Sequence, residues 1–160
     1  MKISAEKGMT LVELLVAITI TAVIVGGLSA AIYFIVATTE RGSAEASALH
    51  NLQKAAYWIS LDAQMAATTD IPDGGQAESI TLSWIDSEGN SYTSSYSLSD
   101  SNLLRQYNST VSTVARGISM VRFAISGNTL TFYLESTAAG RWPVKRSMTG
   151  QVYLRPETGG

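Results

Sequence analysis

The 160-residue sequence contains no cysteine and only one histidine, His50. The absence of cysteine excludes disulfides, thiolate metal sites and cysteine nucleophiles. A single imidazole cannot form a multi-histidine metal site, and a serine hydrolase triad would have to use His50. The sequence also lacks a G-x-S-x-G motif and a phosphate-binding loop. We therefore expect no enzymatic activity, no bound metal and no cofactor.

Charged residues are also few, at 15% of the chain, and 11 Lys and Arg nearly balance 13 Asp and Glu. Binding to nucleic-acid phosphates needs clustered positive charge, so we predict no direct nucleic-acid binding. The length leaves room for one ordinary domain and one extended element. Most of the apolar excess lies at the N-terminus, which predicts that the extended element is there.

The N-terminal apolar run is long enough to span a membrane. No residue from Leu14 to Thr39 carries a charge, and a spanning helix needs ~20 apolar residues. A signal peptidase site at Ser29-Ala30-Ala31 is an alternative, but a secretory signal has an apolar core of only about 7–15 residues. Lys2 and Lys7 precede the run, which places that end in the cytoplasm and the rest of the chain outside.

Glu13 interrupts the apolar region near its start. A carboxylate at bilayer depth costs about 2.5–3.5 kcal/mol and usually has a function; the alternative is a position close enough to the headgroups to reach water. The segment Gly8-Met9-Thr10-Leu11-Val12-Glu13-Leu14-Leu15-Val16-Ala17 resembles the processing motif of type IV prepilins and type II secretion pseudopilins. The family more often has phenylalanine where Met9 stands.

This resemblance implies a processing route. A prepilin peptidase would cut between Gly8 and Met9, remove the leader 1–8 and methylate the new amino group of Met9. Glu13 would then neutralise that amine on a neighbouring subunit, which offsets the cost of burying either charge alone and fixes the axial register. Gly8 and Met9 are therefore the predicted cleavage site, Met9 the methylation site and Glu13 the assembly residue.

The resemblance also implies partners and a location. The partners are the peptidase, other pilin or pseudopilin subunits, an inner-membrane assembly platform and, before assembly, membrane lipid. The protein would cross the membrane once and then enter a periplasmic or cell-surface filament. Strand-like segments further along the chain resemble minor pilins of the J-type. The alternative is a membrane-anchored domain that binds a ligand or partner without polymerising.

The predicted fold is α+β. A helix from about Met9 to about Met65 comprises a membrane or filament-core half, 9–39, and an amphipathic half, 40–68; a small antiparallel β domain, 69–160, follows. The amphipathic half has one apolar stripe, with Asp62 predicted to lie off it. Its members are Leu49, Leu52, Ala56, Ile59 and Ala63.

Alternating apolar residues and turn signals predict the strands, which pack one face of a single sheet on that stripe. The clearest hairpin turns at Ser126-Gly127-Asn128, and a polar loop from Ala138 to Arg146 leads to a last strand around 151–155. Arg141, Lys145 and Arg146 form a basic cluster in that loop, interpreted as solvated. The glycosylation sequon at Asn108 is short and common, and is given little weight.

Overall fold

The computed structural model describes residues 9–138 and 143–156. The predicted leader, Gly8 and Arg141 lie outside these ranges. Within them, one helix precedes nine strands. This confirms the predicted α+β class, with two antiparallel sheets in place of the single sheet that we expected.

Helix α1 spans Leu11–Met65, 55 residues. No proline occurs before Pro72, so the backbone hydrogen bonds of the helix can continue without interruption. The chain divides into two compact units between Glu40 and Arg41. The first unit is the apolar part of α1, and the second holds the remainder of the helix and all the strands.

In the second unit, one face of α1 is buried in the hydrophobic core. Leu52, Ile59 and Ala63 are fully buried as predicted, but Leu49 is 37% exposed. Ala48 and Ala55 on the helix, and Ala66 directly after its end, are also buried. Alanine at these positions allows the strands to approach the helix closely, and the sequence pattern alone did not distinguish them from the surrounding small residues.

The nine strands form a five-stranded sheet, in the order β1-β3-β4-β5-β6, and a four-stranded sheet, in the order β2-β7-β8-β9. Every pair is antiparallel. The strands are β1 (Thr68–Thr69), β2 (Gln76–Ala77), β3 (Ile80–Ile85), β4 (Ser91–Ser99), β5 (Asn102–Tyr107), β6 (Thr110–Arg116), β7 (Ile118–Ser126), β8 (Thr129–Ala138) and β9 (Val144–Tyr153).

Two features of the strand region were predicted wrongly. The loop expected from Ala138 to Arg146 is shorter, because β8 continues to Ala138 and β9 begins at Val144. Strand β6 was not predicted, since its sequence alternates weakly and only Val114 and Ala115 in it are buried. A β-bulge places these two consecutive residues against the core.

Tight turns join β4 to β5 and β5 to β6. Asp100 and Ser101 both have positive φ, as a two-residue type I′ hairpin turn requires. Asn108 also has positive φ, at +50°, and its side-chain oxygen accepts a hydrogen bond from the Thr93 amide at 3.0 Å. The residue of the predicted sequon is therefore exposed in the β5–β6 turn.

The prediction that Asp62 lies off the buried face is wrong. Its carboxylate is fully buried and receives hydrogen bonds from the hydroxyls of Ser94 and Tyr96, each at 2.5 Å. Arg105 donates through Nε at 2.7 Å and through Nη2 at 2.8 Å. This network joins α1 to β4 and β5 inside the core.

Aromatic rings enclose the arginine of this network. The guanidinium carbon of Arg105 lies 4.8 Å from the Trp58 ring centroid and 4.7 Å from that of Tyr107. The hydrogen bonds to Asp62 raise the pKa of Arg105. Burial, followed by the hydrogen bond to Asp62, raises the pKa of Tyr96. Arg105 therefore remains charged and Tyr96 neutral at physiological pH.

Candidate assembly site at the start of the helix

The first unit exposes the apolar side chains of its helix on every side. Leu11 is 78% exposed, Val23 73% and Phe34 71%. By length and composition, α1 can cross a membrane. A helix that is apolar all round needs an apolar environment, either lipid or other apolar helices.

Four threonines of this segment donate hydrogen bonds from their hydroxyls to backbone carbonyls of the same helix. Thr21 donates to the carbonyl of Ala17 at 2.8 Å, and Thr39 to that of Ile35 at 2.9 Å. Thr19 and Thr38 bond in the same way to the carbonyls four residues earlier. Such back-bonding satisfies each hydroxyl within the helix, so these four residues suit an apolar environment better than their polarity suggests.

Glu13 lies in the first turn of α1 and forms a capping box with Thr10. Its Oε2 accepts hydrogen bonds from the backbone amide and the hydroxyl of Thr10, each at 3.3 Å. The hydroxyl oxygen of Thr10 accepts in turn a hydrogen bond from the backbone amide of Glu13 at 3.3 Å. These contacts satisfy amides that the helix leaves free at its N-terminus. A negative carboxylate there also interacts favourably with the helix dipole.

The order Thr-x-x-Glu is itself the sequence signature of a capping box, and our sequence reasoning did not use it. From the sequence we place Glu13 near the headgroups or in a pair with the amine of a neighbouring subunit, and no bond within its own helix is predicted. The structure shows that the chain already provides this carboxylate with local hydrogen-bond donors. It also explains why the helix begins at Leu11, after the capping threonine, and not at Met9 as expected.

The structure places Met9 just before the helix, in non-helical backbone and 61% exposed. Met9 and Glu13 therefore lie together at one end of α1, with Thr10 between them. Gly8, the other half of the predicted cleavage site, lies outside the described residues. From Met9 to Thr39 the side chain of Glu13 is the one carboxylate in the sequence, so any added amine at this end has that group as its nearest anionic partner.

His50, the residue that a serine hydrolase triad would require, is exposed on α1 in the second unit. Two residues of the predicted basic cluster pair with carboxylates. Lys145 lies 2.9 Å from Glu135, and Arg146 forms a salt bridge with Glu45 of α1. Both are at the start of β9, so they are strand residues and not part of a free loop.

Comparison with known proteins adds a match at this end of the chain. The prokaryotic N-terminal methylation motif matches residues 3–29, which include the predicted cleavage position, Glu13 and the first part of α1. No curated protein matches the chain, and no solved structure does. This match supports the resemblance of the N-terminal segment to type IV pilins and pseudopilins.

Proposed function

We propose that this protein is a structural subunit of a type IV pilus-like or type II secretion pseudopilus filament and has no chemistry of its own. The observation that supports this most strongly is the methylation motif on a helix whose apolar side chains are exposed and whose first turn holds a carboxylate. A membrane anchor alone needs the apolar side chains, but it gains nothing from Glu13.

Processing would change the electrostatics of the site. Cleavage after Gly8 removes Lys2, Glu6 and Lys7 and creates a primary amine at Met9, which methylation converts to a positive secondary amine. The capping box supplies Glu13 with neutral donors at 3.3 Å, which are long for hydrogen bonds. An N-terminal amine of a neighbouring subunit is a charged donor and binds a carboxylate more strongly. We infer that the neighbour's amine replaces the contacts with Thr10 when subunits assemble.

In an apolar environment, this charge pair would determine how the helices of neighbouring subunits align. An isolated charge in hydrocarbon is costly, and a well-matched opposite charge reduces that cost only when the geometry is good. Subunits out of register would leave an amine and a carboxylate buried separately. The pair between Met9 and Glu13 would therefore select one axial offset between helices, whereas contacts among aliphatic side chains tolerate several offsets.

The location follows from the same assignment. Lys2 and Lys7 precede the apolar run and hold the N-terminus in the cytoplasm. Residues after Thr39 are then extracytoplasmic, in the periplasm or at the cell surface once the filament forms. The prepilin peptidase, other pilin-type subunits and an inner-membrane assembly platform are the partners. Within the family we propose a minor, J-type role, supported by the resemblance of several strand segments.

The competing proposal is a membrane-anchored domain that binds a partner without polymerising, and substitution of Glu13 discriminates between the two. The chain would be expressed in cells with a pilus assembly machine, and filaments would be sheared off and quantified. A subunit should lose assembly in Glu13→Ala and in Glu13→Gln, because both remove the negative charge. Glu40→Ala, which changes a carboxylate beyond the apolar run, is the matched control.

An anchor would give the opposite pattern. Glu13→Ala would then leave the protein in the membrane fraction in undiminished amount, with no filament formed by the unsubstituted chain either. Loss of filaments in Glu40→Ala to the same extent as in Glu13→Ala would contradict a specific role for Glu13.

A further inference from the structure

Among the described residues, two of the four edge strands are too short to pair with another chain, and a third carries charged side chains at its start. Strands β1 and β2 are two residues long. The second and third residues of β9 are Lys145 and Arg146. Short length and charge are common ways in which proteins protect a sheet edge. Strand β6 differs, since it has seven residues and none is charged before Arg116.

The outer side of β6 is available for pairing. Among residues 9–138 and 143–156, β5 is the strand that pairs with β6. Tyr107 and Thr110 close a two-residue turn, so they form a hydrogen-bonded pair, and the alternation makes Arg105 and Ser112 the next such pair. The backbone N–H and C=O groups of Val111 and Thr113 consequently point away from β5.

The side chains of this edge also favour another strand. Val111 is 58% exposed, and Ser112 and Thr113 are exposed as well. β-Branched residues suit strands, and pairs of them across two strands stabilise a sheet. The edge therefore combines unpaired backbone groups with side chains that gain from being covered.

We propose that β6 pairs antiparallel with β6 of a second copy of this chain, with Ser112 opposite Ser112 of the second copy. In this register Val111 of each copy faces Thr113 of the other, so the outward backbone groups form four hydrogen bonds. Both members of that pair are β-branched. Arg116 lies beyond the β-bulge, at opposite ends of the pair in the two copies, so the arrangement avoids like charges directly opposite each other, which would destabilise it.

This contact is separate from the proposed filament assembly. It has two-fold symmetry, whereas successive subunits of a filament are related head to tail. The β6 pair therefore joins two copies that are not consecutive in one filament, either before assembly or between filaments. Its failure would leave the role of Glu13 untouched.

The absence of cysteine from the sequence allows a direct cross-linking test. In the proposed register Ser112 forms a non-hydrogen-bonded pair with itself, in which the Cα atoms lie ~4.5 Å apart; disulfides bridge Cα separations of about 4.4–6.8 Å. The full chain carrying Ser112→Cys would be purified in detergent micelles, oxidised and resolved on a non-reducing gel. Ser97→Cys, exposed on the central strand β4, is the control.

We expect Ser112→Cys to form at least about tenfold more disulfide-linked dimer than Ser97→Cys, since only the former brings two thiols within bonding distance. Helix-mediated association in the micelle would affect both variants equally. Adding Val111→Lys to Ser112→Cys should reduce the dimer about tenfold, because two lysines then lie near each other across the pair. Adding Ser97→Lys should not.

Equal cross-linking of the two cysteine variants, or a yield unaffected by Val111→Lys, would overturn the proposal. Glu13→Ala in the Ser112→Cys chain separates the two hypotheses. The β6 contact predicts an unchanged cross-link in that chain even though filaments are lost, and loss of the cross-link on Glu13→Ala would contradict an independent contact.

Discussion

Gly150 of β9 lies directly opposite Phe132 of β8, and the ring covers the position that a side chain would occupy. A Cβ atom added at Gly150 would lie 2.2 Å from the Cζ atom of Phe132. Because Phe132 is fully buried, its ring cannot move without disturbing the core. Glycine is required here because the ring fills the space of a side chain. The backbone conformation of Gly150 is one that other residues also adopt.

We expect Gly150→Ala to lower the free energy of unfolding by about 1–3 kcal/mol, the usual cost of overpacking a core. Urea unfolding of the full chain in micelles, followed by tryptophan fluorescence, would measure it. Gly42→Ala is the control, since nothing lies within 4 Å of that helical position and alanine should stabilise the helix by up to ~1 kcal/mol. Equal stability of the two variants would contradict this account.

Asp62 and Glu45 are both helix carboxylates paired with an arginine, but their burial differs. Asp62 is fully buried, whereas the side chain of Glu45 is 41% exposed. Removing one partner of a buried pair leaves the other charge uncompensated and costs about 3–5 kcal/mol. An exposed pair contributes only about 0–1 kcal/mol.

Asp62→Ala should therefore destabilise the protein by about 3–5 kcal/mol, because Arg105 is left without its carboxylate. Glu45→Ala should cost less than about 1 kcal/mol. Urea unfolding midpoints of both variants, compared with the unsubstituted chain, would test the contrast. Similar losses in the two variants would show that the network around Asp62 is not what holds the helix to β4 and β5.

At the scale of elements, a polar cluster around Glu135 connects neighbouring strands of the four-stranded sheet. The salt bridge with Lys145 and the hydrogen bonds from Ser119 and Tyr133 lower the pKa of Glu135, and the same salt bridge raises the pKa of Lys145. These contacts link β7, β8 and β9 to one another.

The lowered pKa of Glu135 determines in which direction the stability of the protein changes with pH. The contribution of Glu135 to stability is complete above its ordinary pKa of 4.5, and it is lost as the pH falls through the lower pKa of the folded state. Glu135→Gln should reduce stability at neutral pH and flatten the acid side of the stability curve. Urea midpoints measured from neutral pH down to about pH 3 would show this. A variant whose acid side stays as steep as that of the unsubstituted chain would contradict it.

Several elements could be predicted from sequence because their signals are local. The apolar run, the period of the amphipathic half and the turn at Ser126-Gly127-Asn128 located α1 and the β7–β8 hairpin. Asp62 was misplaced because its burial depends on Arg105, 43 residues later in the chain. Strand β6 was missed because most of it is exposed, so alternation was weak. The division into two sheets likewise depends on long-range pairing.

The candidate site shows the same limits. Gly8, Met9 and Glu13 could be selected because the motif that contains them is contiguous. Their proposed function depends on a pair formed between two subunits, which the motif indicates through its resemblance to the family. The capping box with Thr10 was predictable from the Thr-x-x-Glu order, whereas the enclosure of Arg105 by Trp58 and Tyr107 required the fold.

On the scale of the whole molecule, polar and apolar surface are segregated along the chain. The first unit exposes large aliphatic and aromatic side chains throughout, while the second buries a core of its own. Such a chain needs an apolar environment for one unit and water for the other. A membrane before assembly and a filament core after it would both provide this.

The most direct test of the proposed function is the intact mass and N-terminal sequence of the protein after co-expression with a prepilin peptidase. We predict a product that begins at Met9 and carries one N-methyl group, so that its mass exceeds that of the cut but unmethylated chain. We expect Gly8→Leu to remain uncut. A chain that stays whole, or one that begins after Ala31, would contradict the assignment of the leader and with it the filament role.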